Sequence, residues 1–160
     1  MAFEEQVMTL VRRILSSGLA RENALSGASS DEIMQAERAL MSRFPASYVA
    51  VMRRIGRSNR YLLPDINYSI EDTVKKNQWL KKYINIMIED GFDVPHDLCI
   101  RPFFAFANRQ EVFWIVYIDD GDDPPVYYFH CDDAEYFVDC DSIIGFFNTQ
   151  VEVAVGDKLS

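Results

Sequence analysis

The sequence predicts an α+β domain in which a central antiparallel sheet of about four to six strands is flanked by helices. Apolar residues recur at helical spacing through the first half of the chain. From residue 100 onward, aromatic and β-branched runs such as "FFAFA", "VFWIVYI" and "VYYF" are separated by the turn-forming segments "NRQ" and "DDGDDPP". The 160 residues are 49% hydrophobic, which is enough apolar material for the core of one domain over 1–160.

Three helices are predicted in the first third of the chain. The first ends at Gly18 and has one apolar face, formed by Phe3, Val7, Leu10, Val11 and Ile14. Ser29 and Glu32 have the spacing of a capping box, so the second helix begins there and ends at Pro45. A proline suits the first turn of a helix, and the third helix therefore runs from Pro45 until Gly56 closes it.

The remaining elements are a long helix, a strand meander and a closing helix. Ser69 predicts the start of the long helix and Gly91 its end. The short segment 61–63 could pair at a sheet edge. The run "VFWIVYI" is apolar without alternation, which places it at the centre of the sheet with both faces covered. Asp141 and Ser142 are predicted to cap a short final helix.

Charge is unevenly distributed along the chain, whose formal net charge is −9. Residues 110–157 contain twelve acidic residues and no Lys or Arg. Such a segment repels nucleic acid and attracts cationic surfaces, so direct nucleic-acid binding is disfavoured. No apolar run approaches the roughly 20 residues of a membrane span, and the start does not resemble a signal peptide. We therefore expect no membrane partner, a cytoplasmic location and three reduced cysteines.

The sequence predicts neither a calcium site nor a zinc site. A calcium loop needs oxygen ligands at alternating positions, a glycine at the sixth and a distal glutamate, whereas Gly121 is the third residue of "DDGDD" and no glutamate follows before Glu135. This segment is instead predicted to be the solvated tip of a hairpin. The zinc-ligand types match no finger or ribbon spacing; they are His96, Cys99, His130, Cys131 and Cys140.

The sequence does not favour an enzyme. It contains no glycine-rich phosphate loop, no Gly-x-Ser-x-Gly elbow and no histidine beside a plausible nucleophile, although convergence of distant residues in space is left open. Neighbouring acids such as Asp132 and Asp133 are more often solvated than catalytic. We predict a non-enzymatic protein without a cofactor, in which most aromatic rings pack the core and a few contact a protein partner.

Several segments together resemble the SUKH superfamily. The opening "SSDEIMQAERALMSRFPASYVAVMRRIG" has a helical glutamate, Glu37, a Leu-Pro-like dipeptide at Phe44 and Pro45, an aromatic at Tyr48 and a closing Gly56. Later segments "RPFFAFANRQEVFWIVYID", "PPVYYF" and "DCDSIIGFF" are similar to the strand pair, the proline-valine strand and the closing helical segment of that superfamily.

The resemblance covers residues 29–149, so 1–28 are interpreted as an N-terminal helical extension of a single SUKH-like domain. The superfamily includes the yeast Smi/Knr cell-wall regulator and many bacterial immunity proteins. It implies a SUKH-like α+β fold and protein binding, often with neutralisation of a toxin. We expect an immunity protein whose acidic surface docks on a basic toxin domain such as a nuclease. The alternative is a cytoplasmic adaptor or regulatory scaffold of the same fold that binds a non-toxin protein.

Eight acidic residues are the candidates for partner binding. They are Asp119, Asp120, Asp122, Asp123, Asp132, Asp133, Glu135 and Asp139. A basic run, consisting of Arg53, Arg54, Arg57 and Arg60, is interpreted as a solvated helix end that could otherwise meet the acidic half of a second copy.

Overall fold

The computed structural model describes residues 2–58 and 62–159, and within them the chain has the predicted α+β architecture. These residues form six α-helices and one four-stranded antiparallel sheet. The helices are α1 (Ala2–Ser16), α2 (Ser30–Leu40), α3 (Ala46–Ile55), α4 (Ile70–Glu89), α5 (His96–Ile100) and α6 (Ile143–Leu159). The strands are β1 (Phe103–Arg109), β2 (Val112–Tyr117), β3 (Val126–His130) and β4 (Tyr136–Cys140).

The sheet lies between two helical layers. Its strands are adjacent in chain order and every pair is antiparallel. β2 is therefore an inner strand, and all six of its residues are buried, which confirms the position predicted from its apolar run. Phe106 and Trp114 pack on one face in a core that includes α1, α2, α3 and α6. Phe113 and Phe129 pack on the other face with α4 and α5.

Local signals fix the helix ends. The hydroxyl of Ser29 accepts a hydrogen bond from the amide of Glu32 at 3.2 Å, and the Glu32 carboxylate accepts one from the amide of Ser29 at 3.0 Å, which confirms the capping box. The hydroxyl of Ser69 accepts from the amide of Glu71, so α4 begins where predicted. Gly91 follows α4 with a φ of 86°, a conformation that favours glycine.

The predicted edge pairing before α4 is wrong for the residues that the structure describes. Tyr61 lies outside the described residues, and Leu62 and Leu63 belong to no strand. Both leucine side chains are buried, so this segment contributes to the core instead of to a ladder. The bridge to the sheet occurs a few residues later, between Asn67 and Asn108.

The final helix also differs from its prediction. α6 is not short, because it has 17 residues. The hydroxyl of Ser142 accepts a hydrogen bond from the amide of Gly145 at 2.9 Å, as predicted. Asp141 takes no part in this cap. The short helix α5 and the individual position of β4 were not predicted, since five-residue elements carry little periodic signal.

The N-terminal helix packs in the core on the Trp114 face of the sheet. Leu10 and Ile14 of α1 are fully buried in the cluster that contains Trp114. No helix within residues 2–58 and 62–159 combines the length and apolar character needed to cross a bilayer. The three cysteines are free thiols.

Candidate partner-binding surface

The "DDGDD" segment connects β2 and β3, which confirms that it is part of a hairpin. Ile118–Asp120 forms a single 3-10 turn, and Gly121 then adopts a φ of 95°. A side chain at this φ would be strained, so the glycine allows the chain to reverse toward β3. Residues 118–125, hereafter the hairpin loop, place four of the eight candidate acids at one end of the sheet.

Two of these acids surround a cation. The Arg101 guanidinium lies 2.7 Å from the carboxylate of Asp119 and 2.9 Å from that of Asp120. It also lies over the ring of Tyr117 at 4.0 Å from the centroid, a cation–π contact. The hydrogen bond from Arg101 lowers the pKa of Asp119. These two carboxylates are therefore partly neutralised within the molecule.

The other two aspartates of the hairpin loop connect it to helices. The Asp123 carboxylate accepts hydrogen bonds from the amides of Ile143 at 3.0 Å and Ile144 at 3.4 Å, in the first turn of α6. The amides of a helix start have no partner within the helix, and an acidic acceptor also suits the positive end of the helix dipole. The backbone carbonyl of Asp122 accepts from the amide of Ser47 in α3 at 2.9 Å. Of these two aspartates, only Asp122 has a side chain that remains available to a partner.

Three further candidates lie in the turn between β3 and β4. Asp132, Asp133 and Glu135 are all exposed. The Asp133 carboxylate accepts from the amide of Glu135 at 2.9 Å and lies 3.4 Å from Nδ1 of His130. That nitrogen accepts a hydrogen bond from the Asp132 amide at 3.2 Å, so His130 pairs electrostatically with Asp133 only when the ring is protonated.

The eighth candidate supports the core. The Asp139 carboxylate accepts a hydrogen bond from Nε1 of Trp114 at 2.9 Å. The Trp114 side chain is almost completely buried, with 3% exposure. A buried indole N–H needs an acceptor, and Asp139 provides it from the exposed strand β4.

The eight acids form two groups instead of one continuous patch. β3 has five residues, so about 13 Å separate its ends at about 3.3 Å per residue. The hairpin loop precedes β3 and the turn 131–135 follows it. Asp139 belongs with the loop end, because its neighbour Cys140 pairs with Val126. Seven of the eight residues are exposed and Asp123 is half-buried.

Exposed apolar residues lie between these two acidic groups. Phe137 and Val138 of β4 are 42% and 55% exposed. The Phe137 ring stacks on Tyr128 with 4.5 Å between centroids, which holds it in place on the surface. Sequence reasoning missed this pair. The run "YFVDC" offers only five residues and no clear alternation, so the exposure of its centre had no sequence signal.

The residue types that suggested zinc are not gathered in one place among the residues that the structure describes. Within the described parts of the chain, no three His, Cys, Asp or Glu side chains are placed to hold a metal ion. Burial raises the pKa of Cys131 to about 12 and that of Cys140 to about 11. Both thiols are therefore protonated at neutral pH, whereas nucleophilic and metal-binding cysteines act as thiolates.

One buried ionisable group lacked any signal in the sequence. The Lys76 amine donates to the carbonyl oxygens of Asn67 at 2.6 Å and Phe106 at 3.4 Å. Burial lowers the pKa of Lys76 to about 7. The Lys76 side chain connects α4 to β1 and to the segment before α4. Because both of its acceptors are backbone carbonyls, its role is structural.

The arginines of the basic run differ in their contacts. Arg57 contacts Glu32 through its Nε atom at 3.0 Å, while Arg53 and Arg54 are exposed. Arg60 lies outside the described residues.

Comparison with known proteins agrees with the resemblance read from the sequence. The chain matches the model of the SMI1 / KNR4 family (SUKH-1) over residues 27–149. This range begins two residues before the predicted region and ends at the same residue. A search of curated proteins finds no match.

Proposed function

The chain belongs to the SMI1 / KNR4 family (SUKH-1), and from this premise we propose that it is a non-enzymatic protein-binding domain that neutralises a basic toxin. The proposal treats residues 1–160 as one domain and places the interaction in the cytoplasm. The partner's cationic surface docks on the acidic C-terminal half, and the toxin's active surface is thereby covered.

The observation that carries this proposal is the charge of that half. Its twelve acids occur without a single Lys or Arg between residues 110 and 157, and an ordinary soluble surface mixes both signs. Such a field accelerates the approach of a cationic partner and penalises an anionic one. A basic nuclease domain is therefore a suitable partner, while direct contact with nucleic acid is disfavoured.

The surface has three components with different expected roles. Asp122, Asp132 and Glu135 have exposed carboxylates with no hydrogen bond within the described residues, so they are free to steer a partner. Phe137 on one face of β4 and Val138 on the other add apolar contacts between the acidic groups, and either can serve as an anchor for affinity. Asp119, Asp120, Asp123 and Asp139 serve mainly the fold, and we assign them a smaller share of binding.

The test is to identify the partner and ask whether it is toxic. The protein is tagged in its native cell, and proteins that copurify with it are identified. Each is then expressed in a host with and without this chain. We expect a copurifying protein that stops growth by itself and is harmless when this chain is present. A copurifying protein that is harmless in both cases would instead favour an adaptor or regulatory scaffold.

A further inference from the structure

The two edges of the sheet differ in how their backbone groups are satisfied. At the β1 edge, the side-chain amide of Asn77 donates to the carbonyl of Ala105 and accepts from its amide, both at 2.8 Å. Asn108 exchanges two backbone hydrogen bonds with Asn67, at 2.8 and 3.0 Å. Lys76 adds a bond to the Phe106 carbonyl. β1 is thus closed to further strands, and β4 is the other edge of the sheet.

The outward backbone groups of β4 follow from its pairing with β3. The amide of His130 donates to the carbonyl of Glu135 at 2.9 Å, and the His130 carbonyl accepts from the amide of Ala134 at 2.9 Å, so His130 occupies a hydrogen-bonded position opposite a bulge formed by Ala134 and Glu135. Antiparallel ladders alternate between hydrogen-bonded and non-hydrogen-bonded pairs. Phe137 therefore bonds to β3, whereas the N–H and C=O groups of Tyr136 and Val138 point away from the sheet. No helix or loop among residues 2–58 and 62–159 hydrogen-bonds to these outward groups.

The side chains around this edge specify the chemistry of a ligand. Phe137 and Val138 supply exposed apolar contacts at the centre of β4. Acids flank them at both ends, with Glu135 before the strand and Asp139 and Asp141 at its end, all exposed. An extended segment that lies along β4 would therefore place apolar residues at its middle and meet negative charge at both ends.

We propose that β4 accepts a fifth strand from the partner: an extended segment with a short apolar centre and Lys or Arg at both ends. This inference rests on the proposed function and adds the mode of binding. Outward main-chain groups provide the hydrogen bonds, and the flanking charges select the segment. The irregularity in the β3–β4 ladder lies just after Val138, because Tyr127 pairs with Val138 while Val126 pairs with Cys140, which makes Asp139 the extra residue. Residues 136–138 pair regularly with β3, so they are the part of the edge that accepts the segment.

A second copy of this chain is a poor occupant of the same edge. Antiparallel pairing of β4 with itself about its centre would bring Glu135 of one copy close to Asp139 and Asp141 of the other. Like charges placed opposite each other in a sheet are destabilising. Charges at an exposed edge also discourage such self-association. A cationic segment removes this repulsion, so the charge favours a different protein as the partner.

The test uses a synthetic probe instead of the unknown toxin. The probe is a capped nonapeptide with alternating valine and threonine at its centre and two lysines at each end. A matched peptide carries N-methyl groups on the amides that would face β4, and a second has glutamate in place of lysine. Binding is followed by NMR, through chemical shifts and the hydrogen-exchange rates of the Tyr136 and Val138 amides.

We expect the lysine peptide to slow exchange at both amides at saturation, with the largest shifts in β4. N-methylation should weaken binding at least about tenfold, the loss expected for two hydrogen bonds. The Val138→Pro variant lacks one outward amide and should bind about threefold more weakly, the loss expected for one hydrogen bond, whereas Val138→Thr retains the amide and should bind nearly as well as the wild type. The glutamate peptide should not bind.

Three results would overturn the strand-addition mode. Absence of binding by the lysine peptide at millimolar concentration is the first. Equal binding by the N-methylated peptide is the second, because side-chain attraction alone would then explain the affinity and only the proposed function would survive. Protection of Tyr136 and Val138 that grows with protein concentration in the absence of peptide is the third, since it would identify a second copy as the occupant. Failure of the proposed function is separate and would appear as a harmless copurifying partner.

Discussion

Asp123 offers a sharp test, because the sequence marks it for binding and the structure gives it a role in folding. Its carboxylate accepts hydrogen bonds from the first two amides of α6, at 3.0 and 3.4 Å. Loss of a helix N-cap costs about 0.5–2 kcal/mol, typically about 1. Ser142 caps the same helix, so α6 should survive, and we expect Asp123→Ala to lower the free energy of unfolding by about 1–2 kcal/mol. For a chain of this size this corresponds to a Tm lower by about 2–8 °C.

The assay is thermal and urea unfolding of Asp123→Ala beside two controls. Asp123→Asn retains an oxygen acceptor and should lose less than half as much stability as the alanine variant. Asp122→Ala removes a neighbouring exposed carboxylate that makes no side-chain hydrogen bond to any described residue, so the free energy of unfolding of this variant should differ from the wild type by less than about 0.5 kcal/mol. If Asp123→Ala were as stable as Asp122→Ala, the cap would contribute nothing and the residue would be free to serve a partner.

The remaining predictions concern the core, pH and metals. Trp114→Ala removes a buried ring together with its bond to Asp139, so it should cost about 3–5 kcal/mol by urea unfolding; near-native stability would contradict the inner position of β2. Folding lowers the pKa of Lys76 to about 7, so the unfolded chain binds more protons than the folded chain above that pH. The free energy of unfolding of the wild type should therefore rise from about pH 7 to 10 relative to that of Lys76→Met. Parallel pH profiles of the two proteins would refute this. Calcium or zinc at millimolar excess should leave Tm nearly unchanged, whereas a saturable rise that Asp119→Asn and Asp122→Asn abolish would reveal a metal site.

The features that could be predicted from the sequence are those with local causes. The capping box of Ser29 and Glu32 lies within four consecutive residues, and its geometry follows from the helix start alone. The apolar run of β2 needs cover on both faces, which only an inner strand receives. The DDGDD segment contains the residue types that turns require, and the chain reverses there.

The features that could not be predicted depend on contacts between distant residues. Asp123 meets Ile143 across 20 positions, and Arg101 meets Asp119 across 18. In the sequence these aspartates look identical to Asp122, whose side chain stays exposed. The burial of Lys76 could not be predicted either, because it depends on the position of β1. Composition revealed an excess of acid, but only the fold shows which carboxylates are already occupied.

The most direct test of charge-steered binding uses the carboxylates that the fold leaves unoccupied. One fourfold variant reverses free acids of the C-terminal half to lysine: Asp122, Asp132, Glu135 and Asp141. A matched fourfold variant makes the same change of charge outside that half: Asp65, Glu89, Asp90 and Asp93. Neither set supplies a side-chain hydrogen bond or an ion pair among the described residues, so both variants should fold.

The measurement is the association rate with the copurified partner as a function of ionic strength. Wild-type association should be fast at low salt and should slow as salt screens the attraction. Reversal in the C-terminal half should reduce the low-salt rate by about tenfold or more and flatten its salt dependence, while the matched variant should retain most of the rate and its slope. Equal rates for the wild type and the C-terminal variant at every salt concentration would contradict docking on the acidic surface.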